Sequence, residues 1–406
     1  MRAEGRRLTP WRVVFFLLMA AGLVVAATRY LRGLGAVTNL SDAFPWGLWI
    51  GFDVLCGVGI AAGGFTITTA VYVLNAKRFE PIVRPTVLTA FLGYLLVIAA
   101  LLLDLGRPWN LWRPLVFWNP HSVMFEVAWC VTLYTTVLSL EFSGMILERL
   151  GWRRALRIQK AVVTPLVIAG ALLSTLHQSS LGSLYLIVPG KLHALWYTPL
   201  LPVLFFLSSI AAGLGMVLVE SRLSSRAFGR RLEMPLLSEL GRILFAVLLV
   251  FGVTRVYDLV HRGALGLAFA TTTAALLFQL EFLMGVLLPL LLLSRPGVRW
   301  NSRGLYASGL LVVMGFVVNR LNVSVTGFEA ASGGRYVPAL SELAVTLMLV
   351  AVGFAAFGLA VRHLPVYPEE RTASPVSFPG PAAIPGGPAA VNPVHGDPGV
   401  IAGETR

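Results

Sequence analysis

Apolar runs of about twenty residues, each long enough for an α-helix to cross a bilayer, alternate with short polar connections from Trp11 to Arg362. A membrane β-strand would instead alternate apolar and polar positions over about ten residues. The pattern predicts ten membrane helices, at 12–30, 46–74, 86–105, 122–147, 160–177, 198–220, 238–260, 267–293, 303–323 and 338–362. The first could be read as a secretory signal, but its apolar run is long for one and Arg29 and Arg32 follow it, so it is retained as a span. The expected fold class is all-α. Helices 2–5 and 6–9 should form two four-helix bundles, with the first and last helices flanking them. Residues 1–365 make the membrane domain. The Pro-, Gly- and Ala-rich stretch 366–406 cannot bury a core and is expected as a disordered tail.

Composition agrees with a polytopic membrane protein. Of 406 residues, 57% are hydrophobic and 13% charged, with mean hydropathy +0.79. A soluble domain carries about 25% charged residues. The net charge of +13 invites a nucleic-acid reading, but the basic residues sit in short connections, where membrane topology puts them. Alternate connections divide them unevenly. The side holding both termini, with Lys77, Arg154, Arg226 and Arg299 among others, has 22 of the 32 Lys and Arg, and the opposite side has 8. The positive-inside rule then places both termini in the cytoplasm.

An ionisable side chain at membrane depth costs roughly 2.5–3.5 kcal/mol on insertion scales, so such residues are candidates for function. Asp53, Asp104, Glu126 and His177 fall at one level in helices 2–5, near the outer face. Asp104 and His177 also fit as interfacial end groups. A second set, Arg255, Asp258, Arg320 and Glu342, fits an ion-pair network, with Arg255 and Asp258 spaced to pair. Glu141 and Glu281 lie in spans, where each could carry protons or bond a neighbour. The run from Gly57 to Gly64 sits in mid-span and reads as close helix packing rather than a nucleotide loop.

The two cysteines, Cys56 and Cys130, cannot hold an Fe–S cluster, which needs about four thiolates. None of the six histidines lies in the middle of a predicted span, so no haem is expected, and no metal-ligand motif occurs. Protonatable groups, aromatics and an apolar slot without a resident redox centre suit a quinone site. Two other readings fit as well: a proton or ion carrier, and a passive anchor for an external enzyme.

Specific motifs sharpen this. Phe44-Pro-Trp-Gly-Leu-Trp-Ile-Gly-Phe-Asp53, Asp104-Leu-Gly-Arg107, Asn119-Pro-His-Ser-Val-Met-Phe-Glu126, Thr175-Leu-His-Gln-Ser-Ser-Leu-Gly-Ser183 and Lys191-Leu-His-Ala-Leu-Trp196 resemble the NrfD/polysulfide-reductase membrane-subunit family. The nearest resemblance is to its HybB-like branch, the membrane subunits of hydrogenase-2 type complexes. It covers nearly the whole chain except the tail, where the Pro-rich extension departs from that branch. The resemblance implies a subunit of a respiratory oxidoreductase in a bacterial or archaeal cytoplasmic membrane, with menaquinone or ubiquinone as substrate. It implies a ferredoxin-like Fe–S partner and a catalytic redox subunit or cytochrome. It also implies that Asp53, Glu126 and His177 belong to the quinone and proton site, with Asp104, Arg107, His121, His193 and Trp196 beside it.

Overall fold

A computed structural model of the chain describes residues 10–42, 44–187, 190–332 and 334–367. Among the described residues, ten helices are long and apolar enough to span a membrane: α1 (Pro10–Arg32), α2 (Trp49–Tyr72), α3 (Lys77–Asp104), α4 (Val123–Leu150), α5 (Arg153–Leu184), α6 (Leu201–Phe228), α7 (Met234–His261), α8 (Thr273–Ser294), α9 (Ser302–Glu329) and α10 (Leu340–His363). Among the described residues no strand occurs beyond an isolated bridge between Ser41 and Phe44. The protein is an all-α, multi-pass integral membrane protein. The tail expected as disordered falls mainly on residues 368–406, outside the described residues. Before it, Val366 is buried with Leu88 and Met145, and Arg84 donates to the Pro365 carbonyl at 2.8 Å.

Several helices run further than hydropathy predicts, because local chemistry rather than apolarity ends them. Ser122 caps α4, and Gly151 and Gly229 close α4 and α6 in the left-handed region, at φ 69° and 68°. Pro85 does not start α3, since the helix already begins before it. α5 continues to Leu184 and α9 to Glu329. His177 therefore lies seven residues inside α5, about 10 Å from its end, and Arg320 nine residues inside α9. Neither is the end group that the sequence suggested.

Helices α2–α5 pack as one bundle and α6–α9 as the other, with α6 joining them against α2 and α5, and α1 lying along α10. The Gly-rich run is where the bundles meet. A Cβ on Gly213 of α6 would overlap the Gly63 backbone, and one on Gly59 would strike the Phe316 ring. α2 breaks within this run, at Ala61–Ala62. α2 is the most enclosed span, with 72% of its apolar window buried against 6% for α1. Among the described residues three wide π-turns occur, at Trp49–Val54, Leu283–Leu287 and Asn322–Thr326. Such turns are rare inside helices and often accompany function. Here the first contains Asp53, the second begins just after Glu281, and the third begins at its partner Asn322.

Candidate functional site

The connections on one side carry Trp46, Trp109, Trp112, Trp118 and Trp196 and define an aromatic face. The opposite side, with residues 73–76, 151–152, 229–233 and 295–301, is the basic face.

Asp53 is buried at the aromatic-face end of α2, and its Oδ2 accepts a 2.6 Å bond from Thr346 of α10. Asp104 is close enough to act on it electrostatically, and Asp104 in turn interacts with Arg29 and Glu342. The Asp104 Oδ1 is buried without a hydrogen-bond partner. Glu342 starts α10 and gathers the neighbouring loop. Its carboxylate accepts from the Asn39 backbone N–H at 2.9 Å, from the Ala339 N–H at 3.2 Å and from the Tyr336 hydroxyl. Burial and that bond to Glu342 hold the Tyr336 hydroxyl above the usual phenol range, so it remains a donor.

Asp53 also lines a groove of about 370 Å³ between α2, α3, α6 and α10. Its walls are mostly apolar, including Ile60, Leu92, Leu96, Phe354 and Phe357. The far wall, toward the basic face, holds Glu220, which is buried and accepts a 2.6 Å bond from Thr89. The groove is thus an apolar slot with a carboxyl group toward each end.

His177 lies on the other side of α3, fully buried. Its Nδ1 is 2.8 Å from the Tyr94 hydroxyl and its Nε2 has no partner. The neighbouring Gln178 donates to the Val58 carbonyl at 3.1 Å. Tyr94 meets Tyr134 edge-on, with centroids 4.7 Å apart. Tyr134 and Glu141 both border the notch left by Gly170, where a Cβ would stand 3.4 Å from the Tyr134 ring and 3.8 Å from the Glu141 Oε1. Glu141 opens onto a cavity of about 340 Å³ near the basic face, lined also by Thr68, Tyr72, Arg84, Glu148 and Lys160. A train of polar groups, Glu141, Tyr134, Tyr94 and His177, therefore climbs the α2–α5 bundle. Glu126 is half-buried nearer the aromatic face, where its Oε1 accepts from Ser180 at 2.6 Å.

Asp53, Glu126 and His177 share one bundle and the same half of the membrane, but each has its own partner: Thr346, Ser180 and Tyr94. Arg107 and His121 are exposed on the aromatic face. His193 is partly buried, which lowers its imidazole below the ordinary range, and its ring lies 5.7 Å from that of Trp196.

Trp196 belongs to the second bundle, where its indole N–H bonds the Glu281 carboxylate at 3.1 and 3.2 Å. Asn319 and Asn322 also donate to Glu281, at 3.1 and 2.6 Å. Arg255 interacts with Glu281 electrostatically and donates to the Leu195 carbonyl at 2.8 Å. The expected Arg255–Asp258 pair is not formed. Asp258 instead takes Arg262 at 2.7 Å and Thr198 at 2.5 Å, because Arg262 is one full turn on and can reach both carboxylate oxygens. Arg320 stacks on Phe205 and Phe316, 3.6 and 4.3 Å from their ring centres, and donates to Ser208.

Sequence reasoning did not single out Thr346, Tyr94, Tyr134 or Glu220. Glu220 had a signal: it is an acid whose predicted span ended on it, and the helix runs on to Phe228. The other three read as ordinary packing residues until their partners are seen.

The family model described as polysulphide reductase, NrfD, matches residues 36–330. A protein of Nitratidesulfovibrio vulgaris strain Hildenborough is 38% identical, over 89% of this chain and 95% of its own length. The probable Ni/Fe-hydrogenase 2 b-type cytochrome subunit of Escherichia coli strain K12 is 36% identical, over 88% of this chain and 92% of that protein. The menaquinone reductase integral membrane subunit of N. vulgaris is 29% identical, over 89% of this chain and 92% of that subunit.

Proposed function

Since the chain belongs to the polysulphide reductase NrfD family, we propose that it is the quinone-reacting membrane subunit of a respiratory oxidoreductase complex. The observation that carries this reading is the apolar groove of about 370 Å³ with the Asp53 carboxyl in its wall. An isoprenoid tail needs an apolar slot open toward lipid, and a quinone headgroup needs a polar group that bonds its oxygens and handles protons. Asp53, held by Thr346, supplies that group, and Asp104 lies toward the aromatic face as the next acid. The names of two relatives, a hydrogenase subunit and a menaquinone reductase subunit, support a redox complex and menaquinone as the substrate.

In this reading an Fe–S partner exchanges two electrons with the quinone, and two protons accompany them. The same reading assigns proton movement through the bundle to Glu141, Tyr134, Tyr94 and His177, of which Tyr94 and His177 are hydrogen-bonded, with Glu126 and Ser180 as the next polar pair toward the aromatic face. The distribution of Lys and Arg supports a cytoplasmic location for both termini.

The chain is read as holding no haem and no Fe–S cluster, although one relative's name contains "b-type cytochrome". Cys56 and Cys130 lie on different helices, and the fully buried histidine, His177, has committed Nδ1 to Tyr94. A pyridine haemochrome assay on the purified subunit tests this, and a b-type band with stoichiometric iron would refute it.

The groove itself is tested by Gly353→Phe, which places a ring among its lining residues beside Leu96. Quinone-linked turnover of the complex should fall at least tenfold, while reduction of a soluble dye by the partner enzyme is retained. Unchanged quinone kinetics would remove the groove from consideration.

A further inference from the structure

The basic face carries a guanidinium cluster that quinone chemistry does not use. Arg222 lies on α6, six residues or about 9 Å short of its end. Its side chain is covered by its immediate neighbours, at 8% exposure, although it sits at the periphery of the protein. Its Nη1 donates to the Ser302 Oγ at 2.5 Å, and its guanidinium is 5.7 Å from the centre of the Tyr306 ring. Arg226, one turn further along α6, and Arg303, next to Ser302, both act on it electrostatically. These two are exposed.

Among the described residues no carboxylate forms an ion pair with any of the three; the ion pairs are Arg78–Glu239, Arg84–Glu148 and Arg262–Asp258. One hydroxyl and a ring face do not offset three cations at the edge of a membrane. The start of α9 adds to the imbalance. The Asn301 side chain takes the Arg303 N–H at 2.8 Å, and the helix end contributes further positive potential at the same place. Apolar surface adjoins the charge. Leu310 extends the Arg303–Tyr306 stripe and is 38% exposed.

We propose that Arg222, Arg226 and Arg303 form a binding site for an anionic phospholipid, holding its headgroup phosphate against the start of α9 with its acyl chains along α6 and α9. A lipid is favoured over a free anion because the cluster lies where two membrane-spanning helices, α6 and α9, approach their ends and borders the exposed Leu310. Basic clusters between helices at a membrane surface recognise anionic headgroups in this way.

Native mass spectrometry of the full-length protein, exchanged into detergent with equimolar phosphatidylglycerol and phosphatidylcholine, tests the site. One phosphatidylglycerol should be retained preferentially. An R226Q/R303Q double variant changes exposed side chains only, so folding is spared. At about fivefold per charge removed, it should lower that retention about 25-fold. An R149Q/R153Q variant removes the same charge elsewhere on the basic face and should leave retention unchanged. Equal loss in the two variants would mean that overall face charge, not a site, holds the lipid. Equal retention of the two lipids, or displacement by millimolar inorganic phosphate, would also overturn the proposal.

Discussion

His177 presents its Nδ1 to the Tyr94 hydroxyl at 2.8 Å across 83 residues of chain, with both side chains removed from solvent. The pair is the top of the polar train that begins at Glu141. If it relays protons, loss of the imidazole should matter more than loss of the phenol. His177→Ala should lower quinone-linked turnover at least tenfold and Tyr94→Phe less. Tyr94→Phe should also cost about 1–3 kcal/mol of stability, because it strands a buried imidazole nitrogen. Dye-linked turnover by the partner enzyme should be retained in both. Full quinone turnover in His177→Ala would exclude the train from the mechanism.

Glu281 makes a different prediction, since its surroundings are structural. Trp196, Asn319 and Asn322 all donate to its carboxylate, and Arg255 is its nearby cation. Glu281→Ala leaves three donors and a buried charge without their acceptor, a loss of about 3–5 kcal/mol. Glu281→Gln keeps the shape and one acceptor oxygen and should cost clearly less. Thermal unfolding in detergent gives the order. Limited proteolysis should show the Trp196 connection opening first in the alanine variant.

The spans were legible because a run of about twenty apolar residues has few alternatives to a membrane helix. Their ends were less so: α5 and α6 continue through charged and polar residues that hydropathy excludes, which moved His177 and Glu220 inward. The acids were legible as unusual, but their partners were not. Thr346 lies 293 residues from Asp53, and no local pattern encodes such a contact. The π-turn around Asp53 is equally invisible in sequence, because the segment packs against α3, α9 and α10, contacts that no local propensity encodes.

Orientation rests on the basic face being cytoplasmic. Reporter fusions at Lys77, Arg154 and Arg226 should read cytoplasmic, and fusions near Arg113 and Lys191 should read external. The reverse result would leave the helices unchanged but invert the proton path, so that the Glu141 cavity would open to the outside.

The groove has two carboxyl groups, and only one can be the headgroup site. Asp53 sits near the aromatic face with Thr346, and Glu220 sits toward the basic face with Thr89. Asp53 has a second acid within electrostatic reach, so a proton leaving it has somewhere to go. Glu220 has a single hydrogen-bonding hydroxyl and an apolar setting, which suits a fixed internal bond. Asp53→Asn should therefore remove most quinone-linked turnover, by at least 30-fold, while Glu220→Gln changes it by less than about threefold, a difference of under 1 kcal/mol in barrier. Thr346→Val should fall between them, because it frees the Asp53 carboxyl without removing it. Steady-state quinone kinetics on the assembled complex, with dye-linked turnover as the control, rank the three. If Glu220→Gln were the crippling variant and Asp53→Asn the mild one, the headgroup would bind at the basic end of the same groove and its protons would come from that side.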